Sequence, residues 1–140
     1  MSSMDEQDLD DLNTLTRRRF LTSVTRRFSF EASHQLPWHA GKCAKLHGHS
    51  YQLDVTVSGP LSSDGIVIDF GDLKAVVTKH VLDKYDHAHL NDFLSNPTVE
   101  LVAADIISRL LDAGLTVSKV TVRETASCSA TVRVVGPTGD

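Results

Sequence analysis

Leu46-His47-Gly48-His49-Ser50-Tyr51-Gln52-Leu53-Asp54-Val55-Thr56-Val57-Ser58 alternates residue by residue. His47, His49, Tyr51, Leu53, Val55 and Val57 share one parity; Gln52, Asp54, Thr56 and Ser58 take the other. Successive side chains on a strand leave opposite faces, so the stretch predicts a strand with one buried face and one wet one. Gly59-Pro60 and Ser62-Ser63-Asp64-Gly65 then break the chain. Upstream, from Val24, Phe28, Phe30, Ala32 and His34 alternate with Arg27, Ser29 and Glu31. His34, His47 and His49 therefore share the parity of the apolar side chains. They are expected together at one end of the buried face.

Downstream the period changes. Leu73, Val76, Val77, His80 and Val81 follow a helical stripe, with Asp69 or Asp72 near its start. Pro97-Thr98-Val99-Glu100 opens a second helix with capping residues. Its stripe is Val99, Val102, Ala103, Ile106 and Leu110, and Gly114 is placed to end it. Val117 to Thr125 and Ala130 to Val135 alternate again. The order ββααββ predicts an α+β fold: a four-stranded antiparallel sheet with both helices on one face. Two helices cover one face only, and the exposed face and edges predict assembly.

The chain has 140 residues, 41% of them hydrophobic, enough for one domain with a single core. A net charge of -4 argues against nucleic acid as a partner, because phosphate wants a basic surface. No apolar run approaches the length of a membrane span. Two cysteines make no disulfide framework, so a reducing compartment is the simpler reading. Arg17-Arg18-Arg19-Phe20-Leu21 has the look of a twin-arginine export signal, yet Thr22, Ser23, Thr25, Arg26 and Arg27 interrupt the apolar segment one requires. The protein is read as cytoplasmic. Residues 1–22, acidic and then basic, read as a mobile N-terminal extension; 23–136 read as one domain.

The chemistry concentrates around the histidines. A lone histidine on an apolar face is usually a packed core residue, and His80 is read so; His39 is read as a loop residue. Three converging imidazoles are different, because burying them unpaired is costly. Three nitrogen ligands with a fourth position open suit catalytic zinc. Mg²⁺ and Ca²⁺ prefer carboxylates, whereas iron, nickel and cobalt accept the same nitrogen set. Cys43 stands four residues before His47. It is either a fourth ligand that closes the site, or a free thiol near a dication, poised as base or nucleophile. Cys128 is read as a packing residue. If Cys43 is catalytic it needs a partner for its proton, and Asp86-His87 is the best available pair. Glu124 shares parity with Val120 and Val122, and a carboxylate there requires a partner. A planar pair of donors on a ligand would satisfy it. Thr98 and Glu100 are explained by helix capping.

Taken together, these pieces resemble the 6-pyruvoyltetrahydropterin synthase / 6-carboxytetrahydropterin synthase family. The motifs are Phe30-x-Ala-x-His34, Cys43-x-x-x-His47-Gly-His49-Ser-Tyr51, Ile68-Asp69-Phe70-x-x-Leu73-Lys74, Asp86-His87-x-x-Leu90-Asn91, Asn96-Pro97-Thr98-x-Glu100 and Glu124-Thr125. They span Phe28 to Val135. The short spacing from Cys43 to His47 resembles the bacterial carboxy-forming branch. The resemblance implies the tunnelling fold, or T-fold, oligomerising into a barrel, commonly a hexamer, with active sites between subunits. It implies zinc on His34, His47 and His49, a catalytic group of Cys43, Asp86 and His87, and a pterin anchored by Glu124. The implied reaction converts 7,8-dihydroneopterin triphosphate to 6-carboxytetrahydropterin, acetaldehyde and triphosphate, on a route to 7-deazapurines such as queuosine. A pyruvoyl-forming relative, or a non-catalytic zinc-containing pterin-binding module, are the alternatives. Tyr85, where the family usually has leucine, and Leu101, where asparagine is frequent, depart from the pattern.

Overall fold

The computed structural model describes residues 5–8, 11 and 20–136; the expected N-terminal extension lies largely outside them. Strands β1 (Thr22–His34) and β2 (His47–Gly59) form a long antiparallel hairpin, in agreement with the two alternations. A short strand β3 (Ala88–His89) pairs in parallel with Ala32 and Ser33 of β1. Strands β4 (Val117–Thr125) and β5 (Cys128–Arg133) complete the sheet in the order β3-β1-β2-β4-β5. The sheet thus has five strands rather than the expected four, and one pairing is parallel rather than antiparallel. A two-residue strand carries no periodicity of its own. It exists because the backbone after the first helix is clamped to β1.

Helix α1 (Phe70–Val77) begins at Asp69, whose carboxylate accepts from the amides of Gly71 and Asp72. It runs on through a π-helical turn (Thr78–Leu82) and a last turn at Asp83–Tyr85. The wider turn changes which residues face the sheet: Leu73, Val77, Val81 and Tyr85 are fully buried, while His80 is only half-buried. The core place expected for His80 is therefore not borne out, while Val81, on the same expected stripe, is buried as anticipated. Helix α2 (Val99–Asp112) is capped by the Thr98 hydroxyl on the Leu101 amide, and buries Val102, Ala103, Ile106, Ile107 and Leu110. Gly114, at φ 87°, ends it in the left-handed conformation glycine adopts without strain.

Both helices cover the face carrying Phe28, Phe30, Tyr51, Leu53, Val55, Val120 and Val122. Each fully buried Leu or Val contributes about 1.5–3 kcal/mol relative to exposure. The opposite face is a lattice of polar cross-strand pairs. Ser23 meets Ser58 and Thr25 meets Thr56, each at 2.7 Å, and Arg27 and Arg123 both reach Asp54. Ser50 donates to Glu31 at 2.7 Å. Because β3 covers β1 only at Ala32 and Ser33, most of the outer edge of β1 carries no partner strand among the described residues. No helix among those residues is long and apolar enough to cross a membrane.

Candidate metal centre

The hairpin register builds the site. His34 pairs directly with His47, and Ala32 with His49, so three rings project from adjacent positions at the end of β1 and β2 joined by their connecting loop. Their centroids lie 4.5 Å (His34–His47), 5.1 Å (His34–His49) and 4.9 Å (His47–His49) apart. One ligand nitrogen from each falls within 4.8 Å of the others. Gly48 allows the approach: a Cβ there would sit 3.3 Å from the Ala32 carbonyl oxygen.

Second contacts fix the rings. Nδ1 of His34 lies 2.8 Å from the Pro97 carbonyl oxygen, and Nδ1 of His47 lies 2.7 Å from that of Lys45. A carbonyl only accepts, so in both rings Nδ1 carries the hydrogen and Nε2 presents a lone pair in the neutral form. Nε2 of His34, His47 and His49 are all buried without a hydrogen-bond partner. Three orphaned lone pairs turned to one point are what a cation would satisfy, and their chemistry fits a borderline ion such as zinc. Burial pushes the His49 pKa down, with His34 and His47 acting the same way and Glu124 opposing them. That favours the neutral, ligating ring.

The remaining predicted residues fall into three places. Glu124 comes to the centre: one carboxylate oxygen lies 3.2 Å from His34 Nε2 and 3.4 Å from His49 Nε2. A register irregularity between Arg123 and Thr125 puts it at a bulge, where a strand re-aims a side chain. Its approach to the histidines was missed by sequence reasoning: parity with Val120 and Val122 put it on the buried side, but the pairing of β4 with β2 is what brings it to the rings.

Cys43 sits half-buried on a short 3₁₀ turn (Lys42–Ala44) in the β1–β2 connection, with its thiol free. Its sulfur is not among the atoms that cluster with the three histidines.

Asp86 and His87 form their own unit at the β1 edge. Asp86 Oδ1 accepts from the Glu31 amide at 2.9 Å, and the His87 amide donates to the Glu31 carbonyl. Asp86 Oδ2 reaches His87 Nδ1 at 3.1 Å. The Glu31 amide, helped by His87, holds the Asp86 carboxyl below the usual carboxylate range. His87 takes φ 61°, a left-handed backbone rare for a non-glycine residue and costly unless its surroundings enforce it. Its side chain is 79% exposed. No hydrogen bond joins Cys43 to this pair among the described residues. A Ser33 hydroxyl to His89 Nδ1 contact at 3.0 Å, not anticipated from sequence, ties β3 to β1.

A sheet of this order, with two helices on one face and a histidine trio at the loop end of the hairpin, defines a T-fold protein. Residues 23–134 match the family described as 6-pyruvoyl tetrahydropterin synthase, and the chain belongs to that family. A relative from Synechocystis sp. called 6-carboxy-5,6,7,8-tetrahydropterin synthase is 42% identical over 122 residues, covering 81% of this chain and 93% of its own. A Pyrococcus furiosus protein called dihydroneopterin monophosphate aldolase is 39% identical over 87 residues, covering 62% of this chain and 73% of its own. Among solved structures, Caenorhabditis elegans 6-pyruvoyl tetrahydropterin synthase superposes with a TM-score of 0.73 at 27% identity, covering 81% of this chain and 96% of that one.

Proposed function

We propose that this protein is a zinc-dependent 6-carboxy-5,6,7,8-tetrahydropterin synthase, a lyase acting on 7,8-dihydroneopterin triphosphate. The observation that carries the reading is the trio of buried, partnerless Nε2 atoms of His34, His47 and His49. Bound there, zinc would polarise the oxygens of the substrate side chain and lower the cost of charge developing on them.

The chain's own residues supply the rest. Cys43, as thiolate, takes a proton from the side-chain carbon next to the ring. His87, oriented by Asp86, relays protons to and from the reacting carbons. Because His87 projects from an open strand edge, the relay is completed across a subunit boundary, Cys43 from one copy meeting His87 of the next. The uncovered length of β1 offers the edge on which such copies would pair into a barrel, a hexamer being the expected form. Glu124 anchors the pterin by accepting from the ring's amino group and neighbouring N–H. Loss of triphosphate and cleavage of a carbon–carbon bond with water then leave 6-carboxytetrahydropterin and acetaldehyde. The product would feed 7-deazapurine synthesis, queuosine included, and the compartment would be the cytoplasm.

A second reading has a specific basis in the Pyrococcus relative: a retro-aldol cut that releases a phosphorylated two-carbon aldehyde. A pyruvoyl-forming enzyme and a non-catalytic binding module complete the set. Incubation with 7,8-dihydroneopterin triphosphate, with and without chelator, separates them by product mass. A carboxylated tetrahydropterin with acetaldehyde, lost on chelation, is expected. A pyruvoyl pterin, a phosphorylated aldehyde or unchanged substrate each overturns the proposal.

A further inference from the structure

We infer that Glu124 is the fourth metal ligand of the pterin-free enzyme, closing the ion until substrate arrives. This rests on the proposal that His34, His47 and His49 hold a metal. Glu124 is the only carboxylate brought to two of the three rings, His34 and His49, among the described residues, and it forms no salt bridge to Lys or Arg there: Arg123, beside it, is engaged with Asp54. Its oxygen faces His34 Nε2 at 3.2 Å, yet no hydrogen bond forms, because the hydrogen of that ring is on Nδ1, directed at Pro97. Two acceptor atoms held face to face with no proton between them repel, and His34 is fully buried with nowhere to turn. A cation between them converts the repulsion into two bonds.

The distances fit that cation. Ligands about 2.0–2.1 Å from a tetrahedral zinc lie roughly 3.3–3.4 Å from one another. The carboxylate oxygen is 3.2 Å and 3.4 Å from the Nε2 atoms of His34 and His49, two edges of such a tetrahedron. Among the described residues no comparable contact reaches His47, and the carboxylate, like the Cys43 sulfur, lies outside the cluster of the three ring nitrogens, so ligation requires that the ion draw Glu124 inward. The carboxylate assigned to the pterin ring is then the one that guards the metal. Docking the ring draws Glu124 away and frees the coordination position the substrate oxygens need, so an ion without substrate is kept from activating stray water.

Cobalt(II) substitution gives a test that needs no turnover. In the wild-type protein, cobalt is expected to bind with a visible spectrum that azide leaves unchanged at concentrations where Glu124→Ala responds, because only the variant has an exchangeable position. Competition with a chelating dye should show cobalt affinity weaker in Glu124→Ala by about 10–100-fold, the scale on which supporting groups tune metal sites. Glu124→Gln, which keeps the shape and loses the charge, should fall between. Equal azide responses in wild type and Glu124→Ala overturn the inference while leaving the three-histidine centre standing. Failure of the wild-type protein to bind cobalt at all overturns both.

Discussion

Asp86 Oδ2 lies 3.1 Å from His87 Nδ1, while the other oxygen of the same carboxylate grips the Glu31 amide. The strand edge therefore fixes the carboxylate, and the carboxylate fixes the ring. Such a pair orients an imidazole for proton transfer, a step that typically contributes about 10²–10⁴-fold to rate. His87→Ala is expected to lower kcat by that order with zinc content unchanged, read by steady-state kinetics beside metal analysis. Full activity would remove His87 from the chemistry.

Cys43 separates a structural metal site from a catalytic one. Its sulfur lies outside the histidine cluster, so Cys43→Ala should keep the metal and lose turnover. Loss of zinc on that substitution would mean the thiol is a ligand and the site is closed.

His34 and His47 differ in what they support besides the ion. His34 is fully buried, with Tyr51 and Pro97 on its Nδ1, whereas His47 is half-buried beside the β1–β2 connection. Ala at either position should abolish activity and weaken zinc binding. Only His34→Ala should also lower the melting temperature of the metal-free protein, because it alone leaves a buried void. Equal melting temperatures for the two metal-free variants would contradict that division.

Asp54 sets a pH dependence on the polar face of the sheet. Hydrogen bonds and charge from Arg27, with Arg123 and Lys119 adding, hold its carboxyl below the ordinary value of 3.8. A depressed folded pKa contributes stability that is present above the unfolded value and lost as pH falls through the folded one. Thermal melts taken downward from about pH 5 should therefore fall more steeply for wild type than for Asp54→Asn. Parallel curves would show that the pair contributes nothing to folding.

Much of this was legible in the chain itself. The alternation from Val24 to Ser58 placed His34, His47 and His49 on one buried face, and the observed register sets His34 opposite His47. Asp69 and Thr98 announced both helix starts. Three features were not legible, each for a physical reason. The π-turn after Val77 leaves His80 half-buried while Val81 beside it stays buried, a distinction a fixed helical period does not make. Strand β3 exists only through the clamp between Asp86, His87 and Glu31, residues far apart in sequence. Glu124 reaches the histidines through the adjacency of β4 and β2, which parity cannot supply. The departure at Tyr85 is absorbed by the core: its ring meets Phe30 and Phe93 edge-on and its hydroxyl donates to Asp105.

X-ray absorption at the zinc edge of the substrate-free protein addresses the metal centre most directly. Ligation by His34, His47 and His49 predicts imidazole scattering with only nitrogen and oxygen neighbours at about 2.0–2.2 Å. A sulfur shell near about 2.3 Å would put Cys43 on the ion and contradict a thiol kept free for proton transfer.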